Sequence, residues 1–121
     1  MTFSLYFGKV FFMTNTDKKI WDSRQAQQLV QVLSEMKDSS TIQNFLRDVL
    51  TEKEIIEISA RLEAARLLNS KQKYTAISEQ TKLSSRTIAR ISEWLQNGTN
   101  GYKSAFSIIE KHHQHIPPAR D

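Results

Sequence analysis

Residues 84–91, Ser-Ser-Arg-Thr-Ile-Ala-Arg-Ile, hold the side chains of this sequence best suited to molecular recognition. Wound as a helix, they place Ser85, Arg86, Thr87, Ala89 and Arg90 on an outer face, with Ile88 and Ile91 directed inward. Small and hydroxyl-bearing side chains let such a helix sit deep in the major groove of a DNA duplex. An arginine near its N-terminus can reach guanine N7 and O6, or a phosphate. Enzymatic chemistry has no comparable support. Ser84 and Ser85 have no base partner for nucleophilic catalysis. Glu52, Glu54 and Glu57 gather at a helix start, where capping and the helix dipole account for them. His112, His113 and His115 lack the i, i+4 pairing and supporting acids of a metal site. Trp21 and Trp94 read as packing or interface anchors, and no cofactor is implied.

The elements around this segment must hold it in place. Residues 74–95 read as two short helices joined by a tight turn. Ile77, Thr81, Leu83, Ile88 and Ile91 have the spacing by which two crossed helices pack, and Ser84 caps the second helix. Lys82 stands in the turn where a glycine is common, and a left-handed lysine costs ~1 kcal/mol or more. Upstream, Ala26, Leu29, Val30, Leu33 and Met36 predict a helix over residues 18–37. Ser40-x-x-Gln43 reads as a capping box opening a second helix with Ile42, Phe45, Leu46, Val49 and Leu50 on one stripe. Thr51-x-x-Glu54 opens a third over residues 52–69, where Ile55, Ile58, Leu62 and Ala65 share a face that Ile56 and Leu67 widen. A helix apolar on more than one side needs more than one partner, and a second subunit could supply it. Residues 97–101, Asn-Gly-Thr-Asn-Gly, form a stop and turn before a last helix with Tyr102, Phe106 and Ile109 at i, i+4 and i+7. The expected fold class is all-α, with about six helices including a helix-turn-helix.

At 121 residues there is room for one domain, and three glycines and two prolines favour helices over a turn-rich β fold. The formal net charge of +4 is unevenly spread. Residues 14–57 carry six basic and eight acidic side chains, whereas residues 58–91 carry seven basic and two acidic ones. Positive charge is thus gathered around the two short helices, as a phosphate-binding surface requires, and Lys71, Lys73 and Arg66 could hold phosphates there. The chain has no cysteine, which excludes disulfides and thiolate chemistry and suits the cytoplasm. The apolar stretch 3–12 is far shorter than the ~20 residues of a membrane span and lacks a signal-peptide pattern, so no membrane is expected. Residues 1–17 are expected to be a disordered or mis-annotated extension, with translation starting at Met13. Residues 18–115 would form the domain and 116–121 a disordered tail.

Leu50-Thr51-x-x-Glu54, Arg61-Leu62 in a long helix, Tyr74-Thr-Ala-Ile-Ser and Thr87-Ile-Ala-Arg90 together resemble the Trp repressor family. The resemblance covers residues 42–106. Response-regulator and sigma-factor C-terminal domains share the Leu-Thr-x-x-Glu opening. The 26 residues from Thr51 to Ile77 are close to the Trp-repressor arrangement and about two helical turns longer than the response-regulator one. The resemblance implies an intertwined homodimer that binds double-stranded DNA as a transcriptional regulator, a repressor. It places Thr75, Ser78, Ser84, Ser85, Arg86, Thr87 and Ala89 against DNA. An effector pocket would involve Thr51, Arg61, Arg90 and Ile91. The family has a glycine where Ile91 stands, and an isoleucine there would occupy the space of an indole ring, so tryptophan is not the expected corepressor. The sequence names no other small-molecule effector. The competing reading is a helical dimeric protein-interaction module without specific DNA recognition.

Overall fold

Local capping decides where each helix begins. The computed structural model describes residues 19–113, so the expectations for residues 1–17 and 116–121 lie outside the described residues. Six helices follow in order: α1 (Arg24–Glu35), α2 (Ser39–Val49), α3 (Glu52–Asn69), α4 (Tyr74–Thr81), α5 (Ser85–Asn97) and α6 (Gly101–His113). No strand occurs among the described residues, and the fold is all-α. The chain divides into two compact units, Met1–Ser59 and Ala60–Asp121.

In the first unit, two helix starts differ from the expected ones. Lys19 and Ile20 are helical, but turns at residues 21–23 break the expected 18–37 helix, and α1 opens at Arg24, where the Ser23 hydroxyl accepts the Ala26 N–H at 3.0 Å. α2 is capped by Asp38, not by a box at Ser40. The Asp38 carboxylate accepts the Thr41 N–H at 3.2 Å and also the Ser40 and Thr41 hydroxyls, at 2.7 and 3.0 Å. A carboxylate that accepts three hydrogen bonds, as this one does, outcompetes a serine two residues on for the same orphan donors. The Thr51–Glu54 box forms as its spacing requires: Thr51 Oγ1 accepts the Glu54 N–H at 3.1 Å and Glu54 accepts the Thr51 N–H at 2.9 Å. None of the described side chains of this unit is buried. Leu29, Val30, Leu33, Val49, Ile56 and Ile58 are all exposed, Ile56 by 64%.

The second unit contains the core. Ala64, Ala65, Leu67, Ile77, Ile88 and Ile91 are buried together, with Leu68, Leu83, Tyr102 and Phe106 packed against them. Ala64 and Ala65 carry only a methyl group, so the isoleucines of α4 and α5 can approach the α3 backbone closely. Tyr102 and Phe106 stack with ring centroids 6.5 Å apart, one turn apart on α6. α3 ends in a Schellman motif, with Gln72 N–H bonded to Leu67 C=O and Lys71 N–H to Leu68 C=O. Lys71 takes the left-handed position that motif demands, at φ 68°. After α5, Asn100 rather than a glycine takes the left-handed conformation, at φ 69°. Gly98 is required for another reason, since a Cβ there would lie 2.4 Å from the Trp94 carbonyl oxygen.

Two carboxylates link this architecture to pH. Hydrogen bonds from Ser40 and Thr41 hold Asp38 below its usual 3.8, and the Arg66 guanidinium holds Glu63 below 4.5. Each folded-state pKa lies below its unfolded value. Their contribution is therefore complete above about pH 4.5 and is lost as pH falls through the folded values. Thermal melts should show little change between neutral pH and about 5, then a decline below about 4. The double variant Asp38→Asn, Glu63→Gln should flatten that decline while keeping the α2 cap.

Candidate nucleic-acid interface

α4 and α5 are set against each other by apolar contacts on one side and by hydroxyls at the turn. Ile77, Ile88 and Ile91 are essentially without solvent exposure, which fixes the rotation of α5 about its axis. Ile88 and Ile91 inward means Ser85, Arg86, Ala89 and Arg90 outward, and all four are exposed. Between the helices the Lys82 N–H bonds to the Ser78 carbonyl at 2.8 Å, and Lys82 itself adopts φ 66°. Lysine at this position counted against a tight turn in the sequence, yet Lys82 takes the left-handed conformation and the turn is formed without a glycine.

Three hydroxyls hold the turn together. Ser78 Oγ donates to the Leu83 carbonyl at 2.7 Å, across the turn. Thr81 Oγ1 donates to the Ile77 carbonyl at 2.7 Å and accepts the Leu83 N–H at 3.3 Å. Ser84 Oγ accepts the Thr87 N–H at 3.2 Å and donates to Thr87 Oγ1 at 3.1 Å. Ser78 and Ser84 thus spend their single donor protons inside the motif. Each keeps only acceptor capacity toward a ligand. The sequence showed Ser84 as a cap, but the Ser78–Leu83 bond joins residues five apart across a turn, and no local pattern announces it.

The remaining members of the expected DNA-facing set differ in freedom. Thr75, Ser85, Arg86 and Ala89 are exposed and Thr87 is half-buried. Lys71 and Lys73 flank the start of α4, both exposed and without an ion pair among the described residues. Arg66, expected to join them, is committed elsewhere. Its Nε and Nη2 donate to the two carboxylate oxygens of Glu63 at 3.0 and 2.7 Å. That bidentate pair spends one of the basic residues that charge counting had assigned to the surface. Tyr74, Thr75, Ser78, Glu79, Lys82 and Ser85 line an open groove of about 880 Å³ on this motif.

The four residues expected around an effector divide between the two units. Thr51, in the first, is occupied by its capping box. In the second, Arg90 is exposed, Arg61 is half-buried, and Arg61's charge opposes the rise that burial imposes on the Tyr102 hydroxyl. Ile91 is 2% exposed, so its whole side chain belongs to the core.

Residues 24–110 match the family model described as Trp repressor protein. The chain belongs to the Trp repressor family. It is 30% identical over 88 residues to the uncharacterized protein YerC of Bacillus subtilis (strain 168), covering 73% of this chain and 85% of that one. Its structure is similar to the crystal structure of a TrpR-like protein from Eubacterium eligens ATCC 27750. The TM-score is 0.72 with 32% identity, and the match covers 76% of this chain and 95% of the other. Membership extends the resemblance read from residues 42–106 upstream through all of α1 and α2. The family is one of regulators, not of enzymes. No described helix is long and apolar enough to cross a membrane.

The Ser84 cap is open to direct test. Ser84→Ala should lower stability by ~1 kcal/mol in urea unfolding, whereas Ser84→Asp should retain most of it. Equal losses in both variants would show that the side chain acts by packing and not as a cap.

Proposed function

We propose that this chain is a sequence-specific DNA-binding transcriptional regulator, a repressor, that places α5 in the major groove. The observation that carries the reading is the two-sided character of α5. One side is locked into the core through Ile88 and Ile91, while Ser85, Arg86, Ala89 and Arg90 stand exposed on the other. The capped N-terminus puts Arg86 in the first turn, where a helix entering a groove meets base edges first. Thr75, Ser78, Ser84 and Thr87 border that face, and Lys71 and Lys73 serve the phosphates on its flank. Family membership supports the same function.

The acting species in this reading is a homodimer. Helices α1 and α2 bury no side chain, yet each is strongly amphipathic, with Leu29, Val30 and Leu33 exposed along one stripe of α1. A monomer would leave that apolar surface in water, so a second copy is its natural cover. Two motifs related by a two-fold axis would read half-sites about one helical turn (~34 Å) apart. Tryptophan is not the expected corepressor, since the resemblance sets Ile91 where the family has a glycine and an isoleucine side chain would occupy the space of an indole. As a regulator of transcription it would act in the cytoplasm, where the DNA lies, with no membrane partner.

Selection of bound fragments from random-sequence DNA by the purified protein tests the function. A two-fold motif with half-sites about one turn apart is expected. Recovery without an enriched motif would leave a non-specific DNA binder or a protein-interaction module, and no retention on DNA or heparin at ~0.15 M salt would leave the dimeric protein-interaction module. On the selected site Arg86→Ala should cost ~1–3 kcal/mol, with a smaller loss on random DNA. Equal losses on both would make Arg86 a phosphate anchor only. Light scattering should give twice the chain mass, and a monomer at micromolar concentration would remove the dimer from the mechanism.

A further inference from the structure

Lys82 is the one cation lining the groove between α4 and the start of α5, together with Tyr74, Thr75, Ser78, Glu79 and Ser85. Its backbone is held at φ 66°, ψ 13°, a left-handed conformation that strains a residue bearing a Cβ and leaves a glycine unstrained. Its side chain is exposed and makes no hydrogen bond or ion pair among the described residues. Glu79 lies three residues before it on the same groove wall and does not pair with it. The turn itself is closed by main-chain and hydroxyl contacts: Lys82 N–H to Ser78 C=O, Ser78 Oγ to Leu83 C=O, and Leu83 N–H to Thr81 Oγ1. None of these uses the lysine side chain. Lys82 closes α4 as a left-handed C-cap, as Lys71 does at the end of α3, and the cap uses only its backbone, which leaves the ammonium available to a ligand at the groove.

We propose that Lys82 is a DNA phosphate anchor, its ammonium holding a backbone phosphate at this groove beside the Ser85 hydroxyl. This rests on the reading of α4 and α5 as a DNA-binding motif. With Ser78 able only to accept, the donors left on the groove wall are Lys82, Ser85, Thr75 and Tyr74, a set that suits a phosphate's acceptor oxygens. Glu79 is the acid of the same wall. Its charge opposes a phosphate there, so it weakens binding and narrows where along the groove the phosphate can sit.

The strain supplies the test, because glycine removes the ammonium and improves the turn at once. The full-length chain, as wild type, Lys82→Gly, Lys82→Arg and Glu79→Gln, is titrated with a random-sequence DNA duplex between about 0.05 and 0.2 M salt. Each variant is also unfolded in urea. Lys82→Gly should be at least as stable as wild type, yet bind DNA about three- to ten-fold more weakly, with the log–log salt slope smaller by about 0.9 per chain. Lys82→Arg should restore both affinity and slope, and Glu79→Gln should tighten binding. A Lys82→Gly protein with unchanged affinity and slope, beside a wild type that binds, would overturn the anchor alone. A wild type that does not bind DNA would overturn the proposed function and the anchor with it.

Discussion

The burial of Ile77, Ile88 and Ile91 against Ala64 and Ala65 is the constraint from which the rest of the second unit follows. Each isoleucine removed from water contributes roughly 1.5–3 kcal/mol, and the alanines contribute by being small enough to admit them. Because helix periodicity is 3.6 residues, fixing residues 88 and 91 inward also fixes residues 85, 86, 89 and 90 outward. The surface available to a ligand is therefore a consequence of the core and has no independent means of orientation. A polar residue at position 88 or 91 would leave α5 with no reason to present any one face.

The turn shows how short polar side chains finish what apolar packing begins. Ser78, Thr81 and Ser84 satisfy main-chain groups that the ends of two short helices leave unpaired. The consequence for recognition is a division of labour: these hydroxyls are largely consumed by structure, and the side chains left uncommitted are Ser85, Arg86, Arg90 and the lysines. The same accounting removes Arg66, whose fork is filled by Glu63. Charge counted along a sequence overstates the charge a surface can offer, because neighbours at i and i+3 neutralise each other first.

The first unit is organised in the opposite way. Its helices are well capped and amphipathic, so each is locally well specified, yet they have no described core of their own. Stable caps with uncovered stripes mean that local order and tertiary burial are here supplied separately. Capping fixes helix ends within three or four residues, whereas the cover for an apolar stripe can come from anywhere, including another molecule.

Much was legible without coordinates: the all-α class, the six helices, the Thr51–Glu54 box, the Ser84 cap and the inward isoleucines. All depend on interactions between residues within about four positions, or on a periodicity that repeats over a few turns. Family membership was legible through the spacing of the same motifs. Other features had to await the tertiary structure. Asp38 and Ser40 are both good caps, and only the backbone path decided between them. Ile56 and Ile88 are the same side chain, but one is 64% exposed and the other wholly buried. The use of Ser78 to tie the turn at Leu83 was likewise invisible, whereas the Glu63–Arg66 pair, three residues apart on one helix, was open to a local reading that charge counting passed over. Sequence specifies which faces are apolar and which residues can cap a helix, because those are local. Which apolar face is covered, and which polar group remains free, depends on what the fold brings alongside it.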